Sequence, residues 1–199
     1  MTSDLRELFA RKVPLSAVEY CVSLWEDAPF RLKLTRARKS KLGDYRYDPR
    51  DRSHQVSVNT DLNQYQFLIT YVHEVAHRRV HDPKRRLKPH GDHWKLAFRN
   101  LMLPLLNEAV FPDDVLRPLA RHMKNPKAST ATDPVLLKAV SAYDLNKVQG
   151  KTLNEVALGE VFELRKRKFK KLETKRTRAL CLDLSNNRRY LISLVAEVE

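Results

Sequence analysis

Glycine is scarce in this chain, with 4 among 199 residues against 10 prolines. No GxGxxG or GxxxxGK[ST] run is present. The glycine-lined phosphate cradles of dinucleotide-binding and P-loop enzymes are therefore excluded. Cysteine is scarcer still: Cys21 and Cys181 stand far apart and form no CxxC pair. That excludes a disulfide framework and a cysteine-built zinc knuckle, and makes a reducing, cytoplasmic setting the expectation. No apolar run approaches the roughly 20 residues that cross a bilayer. The opening MTSDLRELFA lacks the apolar stretch of a secretion signal. Membrane is not an expected partner.

Positive charge is what the chain has in excess. Lys and Arg number 38 against 24 Asp and Glu, a formal net charge of +14. Such an imbalance favours polyanionic partners, most simply nucleic acid, and charge alone does not separate DNA from ribosomal RNA or an anionic membrane. Apolar residues make up 42%, enough for a sizeable core. The length suits one medium domain, or one of about 150 residues with a small appendage.

The hydrophobic pattern changes character along the chain. Leu5 to Trp25 reads as helix broken near Pro14, with Ser16 and Glu19 at capping-box spacing for its second piece. Phe30, Leu32 and Leu34 alternate with basic residues as in a strand. Leu42 to Pro49 reads as a polar excursion. Gln55 to Asn59 alternates again and reads as a short strand, a candidate edge for substrate pairing. Asn63 is placed to cap a helix whose apolar face is Phe67, Leu68, Tyr71, Val72, Val75 and Ala76. Asp92 reads as the cap of a further helix, and Asp133-Pro134 as the opening of another. Beyond residue 150 the chain carries short alternating runs, with Asn186-Asn187 a hairpin turn. The expected architecture is α+β: residues 1–148 form one domain with a small antiparallel sheet, and 149–199 a small basic antiparallel β module.

Chemistry concentrates in YVHEVAHRRV, residues 71–80. Helix positions four apart lie one above the other, so His73 and His77 can reach one ion, with Glu74 placed beside a water held there. This is HExxH, expected by chance roughly 0.01 times in a chain of this composition. Hydrolytic zinc takes three protein ligands and one open position. His90 is the best third ligand, because Asp82-Pro83 breaks the helix and Pro89 and Gly91 shape a return. His81 fits less well. Ligands at i, i+4 and i+8 span about 12 Å of straight helix, too far for Zn–N bonds of about 2 Å. Bound Zn2+ acidifies a water and polarises a carbonyl, and Glu74 is the expected general base. His93, Tyr45 and Tyr47 are candidates for the outer shell or for contact with substrate. His54 and His122 carry no expected role.

The stretches KLGDYRYD, ITYVHEVAHRRV and PHGDHWKLAFRNLM, together within about residues 10–145, resemble the SprT-like family, which includes the Spartan proteases. The resemblance implies a zincin-type metallopeptidase fold with His73, His77 and His90 on zinc and Glu74 as the catalytic base. In eukaryotic relatives it implies DNA-dependent cleavage of proteins crosslinked to DNA. Two departures stand out. Many members carry an acidic residue where this chain has His93, and many end in a cysteine zinc ribbon, for which a lone Cys181 is insufficient.

The expected nucleic-acid platform is the basic module: Arg165, Lys166, Arg167, Lys168, Lys170, Lys171, Arg176, Arg178, Arg188 and Arg189, with Phe169 or Tyr190 available to stack on bases. The loop KRRLK, 84–88, is positioned to carry positive charge to the rim of the metal site. The function these residues favour is a zinc-dependent endopeptidase acting on DNA-associated proteins. The alternatives are a nucleic-acid-binding or transcription-related factor with a structural zinc, and a hydrolase of some other amide.

Overall fold

The computed structural model describes residues 2–38, 40–85, 87–129, 132–144 and 151–199. The chain divides into two compact units, Met1–Ala128 with Ala139–Asp144, and Ser129–Lys138 with Leu145–Glu199. The expected boundary between residues 148 and 149 lies outside the described residues.

The first unit opens with helices α1 (Thr2–Lys12) and α2 (Val18–Asp27). Pro14 separates them, and a 3-10 turn at Leu15–Ala17 carries the chain into α2. That turn removes the need for the expected capping box. Ser16 Oγ instead donates to the Ala109 carbonyl, and Glu19 pairs with Arg6.

Strands β1 (Arg31–Thr35), β2 (Gly43–Asp48) and β3 (Ser53–Asn59) follow, in spatial order β1-β3-β2. The sheet is mixed: β2 runs antiparallel to β3, and β1 runs parallel to it. Two expectations are corrected here. Residues 43–48 are a strand, and the strand from Ser53 to Asn59 is the centre of the sheet, with Val56 and Val58 fully buried. The edges belong to β1 and β2, and β2 is the one beside Glu74. Its inward residues are Gly43, Tyr45 and Tyr47, which read as polar excursion because none is aliphatic.

Helix α3 (Gln64–Val80) packs on this sheet. Asn63 caps it as expected, its side chain accepting from the Tyr65 and Gln66 N–H groups. The predicted apolar face is buried throughout, and each large side chain on it contributes about 1.5–3 kcal/mol. Tyr71 adds a polar anchor, its hydroxyl donating to the Cys21 carbonyl at 2.9 Å. Helix α4 (Asp92–Met102) packs against α3. Its N-cap is Gly91, and Asp92 is the first helical residue. Helices α5 (Asp113–Met123) and α6 (Pro134–Ser141) follow, and Asp133 accepts from the Leu136 N–H at the start of α6.

In the second unit β4 (Lys151–Thr152) pairs with β9 (Glu197–Val198). Strands β5 (Val161–Leu164), β6 (Arg167–Thr174), β7 (Arg178–Asp183) and β8 (Arg189–Ser193) form an antiparallel sheet in sequence order. Leu153, Val156, Phe162, Phe169, Ala179, Cys181, Leu194 and Val198 make its core. Arg165 and Lys166 turn the β5–β6 hairpin with φ of 54° and 63°, the left-handed pair that matches strand twist in a two-residue turn.

Candidate metal centre

Helical spacing and one chain reversal assemble the site. His73 and His77 lie one turn apart on α3. Beyond α3 the chain reverses, and His90 enters just ahead of α4 with φ of 56°. A left-handed non-glycine residue carries strain of order 1–3 kcal/mol, which persists where surrounding structure holds it. Here the Gly91 N–H donates to the Lys88 carbonyl at 3.0 Å and fixes the turn.

The three Nε2 atoms converge at 3.1 Å (His73 to His90), 3.3 Å (His73 to His77) and 2.9 Å (His77 to His90). Three ligands at about 2.05 Å on a tetrahedral ion are separated by about 3.3 Å, so the triangle matches a zinc site to within a few tenths of an ångström. No other group of three or more His, Cys, Asp or Glu side chains among the described residues converges in this way. Burial pushes the imidazoles towards the neutral, ligating form. His73 falls to about 2 and His77 to about 4, each chiefly by loss of hydration and then by its neighbouring histidines, and His90 is lowered by burial. The donor set fits Zn2+.

Trp94 walls the site. Its ring centroid lies 4.6 Å from those of His73 and His90 and 5.4 Å from that of His77, and its Nε1 donates to the His73 carbonyl at 3.4 Å. The indole thus fixes the backbone of one ligand while packing on the rings of all three.

Glu74 is buried beside the free edge of β2. Loss of hydration, then Asp44, pushes its carboxyl up to about 8. The Tyr45 backbone N–H, Arg38 and Lys41 pull the other way, and a dication held by the adjacent histidines also opposes the rise. Gly43 makes this approach of strand to helix possible. A Cβ there would lie 2.6 Å from Glu74 Oε1 and 2.7 Å from Thr70 Cγ2. No residue but glycine fits without displacing the carboxylate.

Tyr45 lies parallel to the His77 ring at 6.4 Å, and its hydroxyl meets His54 Nδ1 at 2.7 Å. Burial raises Tyr45 to about 12 and lowers His54. Tyr47 sits 4.3 Å from the His81 ring. His81 is not among the converging histidines, and its Nε2 is buried with no hydrogen-bond partner among the described residues. His93 is not brought to the site. Trp94 faces inward, and the next-door position, about 100° round the helix, is exposed. His122 is buried in α5.

Gly43, Trp94 and His54 are contributors that motif spacing did not assign. The first left a trace: in a chain with 4 glycines, one inside a strand marks a close backbone approach.

Of the basic residues of the second unit, Arg165 and Lys166 form the hairpin tip, and Lys168, Lys170, Arg176, Arg178, Arg188 and Arg189 are exposed. Two depart from the expected platform. Lys171 is buried, its ammonium donating to the Leu153 and Val156 carbonyls at 2.8 and 2.7 Å. Arg167 is engaged with buried Asp183 and lies over the Phe169 and Tyr190 rings. Phe169 is a core residue and cannot stack on a base. The register explains this: Arg167, Phe169 and Lys171 alternate onto the inner face, and Lys168 and Lys170 onto the outer.

Scanned against protein families, curated proteins and solved structures, the chain matches none. Its class follows from its own geometry. His73, Glu74 and His77 on a helix packed against a small sheet, joined by His90 from the turn before the next helix, make the first unit a zincin-like α+β metallopeptidase fold, followed by a small basic β unit. No helix among the described residues is long and apolar enough to cross a membrane.

Proposed function

We propose that the protein is a SprT-like zinc endopeptidase acting on DNA-associated proteins. One observation carries the reading: three imidazole nitrogens converge within 3.3 Å of one another, one residue from a buried glutamate. A purely structural site has no use for that carboxylate.

His73, His77 and His90 hold the ion. Bound zinc supplies Lewis acidity, which makes a water acidic enough to attack near neutral pH and draws electrons from a peptide carbonyl. Glu74 takes the proton of the attacking water and passes it to the leaving amine. Gly43 and the Tyr45 N–H keep its carboxylate in register for both transfers. β2 is an edge strand, and its main-chain groups beyond the Tyr45 N–H suit pairing with an extended peptide, which fixes the scissile bond before proton transfer. Trp94 excludes water from one side of the ligands. The exposed cations of the second unit suit phosphates, and this charge supports DNA as partner; the two free, buried cysteines support cytoplasm as setting.

The test is proteolysis of casein and of a basic DNA-binding protein by the zinc-loaded chain, with and without single- and double-stranded DNA. Wild type is expected to cleave and to be stimulated by DNA. Glu74→Gln is expected to retain zinc and lose roughly 10²–10⁴-fold in rate. Equal rates in the two proteins would remove the peptidase reading.

A further inference from the structure

Beside the metal ligands lies a cleft of about 630 Å³ that opens on His77 and His90. Its lining has two parts. Tyr45, Tyr47 and His81 give it an aromatic, weakly polar side, where the Tyr45 and Tyr47 rings are tilted 59° and 40° to that of His81, and the chain between α3 and α4 lines it with Lys84, Arg85 and Lys88, all exposed at its rim. One acid, Asp82, shares that rim. Its Oδ1 already accepts from the Lys84 backbone N–H at 2.9 Å. All three rim cations are exposed, and none forms an ion pair among the described residues.

We infer that this cleft is a specificity pocket for an acidic substrate residue, so that cleavage falls close to an Asp or Glu. The inference rests on the peptidase reading and names its substrate class. Three unneutralised cations against one committed acid favour a carboxylate and oppose a Lys or Arg side chain. The tilted rings offer both faces and edges to the methylene stem of Glu or Asp. A volume of this size admits a side chain with its adjoining main chain. A peptide is favoured over a nucleotide as occupant. The cleft is walled by Tyr45 and Tyr47 of the edge strand β2, whose main chain pairs with amides that nucleic acid lacks. Because the rim is solvated, the selectivity depends on salt and weakens as ionic strength rises.

Two readouts test this. In the first, the zinc-loaded full chain digests a proteome-derived peptide library, and the cut sites are read by mass spectrometry. Asp and Glu are expected to be enriched about tenfold over Lys and Arg at one position within three residues of the cut, and the triple variant Lys84→Glu, Arg85→Glu, Lys88→Glu is expected to reverse that preference. In the second, Glu74→Gln is titrated with acidic and basic peptides of equal length, and with oligo-dT as competitor. Acidic peptides are expected to bind about tenfold more tightly at low salt, and oligo-dT to leave them in place. Cutting without charge preference, unmoved by the triple variant, overturns the pocket and leaves the peptidase standing. Selective binding without cutting of any peptide upholds the pocket and overturns the peptidase. Displacement of the acidic peptide by oligo-dT makes the cleft a nucleotide site and overturns the inference.

Discussion

Both units of this chain bury ionisable side chains, and they treat them in opposite ways. In the β unit the buried charges Lys171 and Asp183 are saturated. Lys171 spends its ammonium on two carbonyls, and Asp183 accepts from the Ser185 N–H and hydroxyl and from Arg167. In the helical unit the groups of the metal centre are left short. Three imidazole nitrogens face one another, where neutral rings offer too few protons to bond all three pairs. Glu74 is pushed up to about 8 by burial and by Asp44. A buried polar group without its full set of partners is destabilising by about 1–3 kcal/mol. A fold that retains several at one point holds them for something outside the chain. Saturated groups mark architecture and unsaturated convergent ones mark a ligand.

The comparison breaks most sharply at glycine, because each unit has one that resists replacement for a different reason. Gly43 is required by close approach, and Gly159 by its φ of 81°, with open space where a Cβ would stand. Gly43→Ala forces its new methyl into the Glu74 carboxylate. Displacement of a reacting group by about 1 Å costs on the order of 10²-fold in rate, and overpacking costs about 1–3 kcal/mol of stability. Gly159→Ala costs about 1 kcal/mol of backbone strain and is expected to leave turnover unchanged. Peptidase rates and melting curves of the two variants separate these outcomes. A fully active Gly43→Ala would mean that the strand does not position Glu74.

A smaller effect sharpens the contrast within the basic residues. Lys171→Ala strands two buried carbonyls and is expected to cost about 1–3 kcal/mol without changing affinity for oligonucleotides. Lys168→Ala with Lys170→Ala removes outward charge only. That pair is expected to leave stability within about 0.5 kcal/mol and to lower the salt slope of DNA binding by up to about 2. Denaturant melts and salt-dependent binding titrations read the two effects. Reduced DNA affinity in a folded Lys171→Ala would place that side chain at the surface after all.

The metal ligands were legible in the sequence because helical spacing is a local rule. His73 and His77 follow from i, i+4, and His90 from a helix break with Pro and Gly about it. The core face of α3 and the Asn63 cap were legible for the same reason. The free edge was not. Which strand is central depends on pairing between Tyr45 and Val56 and between Leu32 and Val56, and no local pattern encodes that choice. The inward turn of Lys171 and Arg167 was obscured for another reason. A strand of nearly continuous cations carries no alternation to show which face is buried, and only Phe169 between them hints at it. His54 was invisible because its role comes from Tyr45, which reaches it across the β2–β3 pair.

The smallest effect concerns pH and belongs to the saturated unit. Hydrogen bonds from Ser185, then from Arg167, hold the Asp183 carboxyl below its ordinary value. A carboxyl whose folded pKa is depressed contributes stability that is fully present above the unfolded value of about 3.9 and is lost as pH falls through the folded one. Asp183→Asn keeps the shape and removes the charge. It is expected to lower the melting point of the β unit at neutral pH, with the deficit narrowing as the wild type is acidified below about pH 4. Thermal melts of wild type and variant from pH 7 to pH 3 measure that convergence. A gap that stays constant over the range would mean that the Asp183 charge adds nothing, and that its bonds to Ser185 alone hold the β7–β8 turn. The unit's saturation would then be a matter of shape, and the contrast with the metal centre would rest on hydrogen bonding without charge.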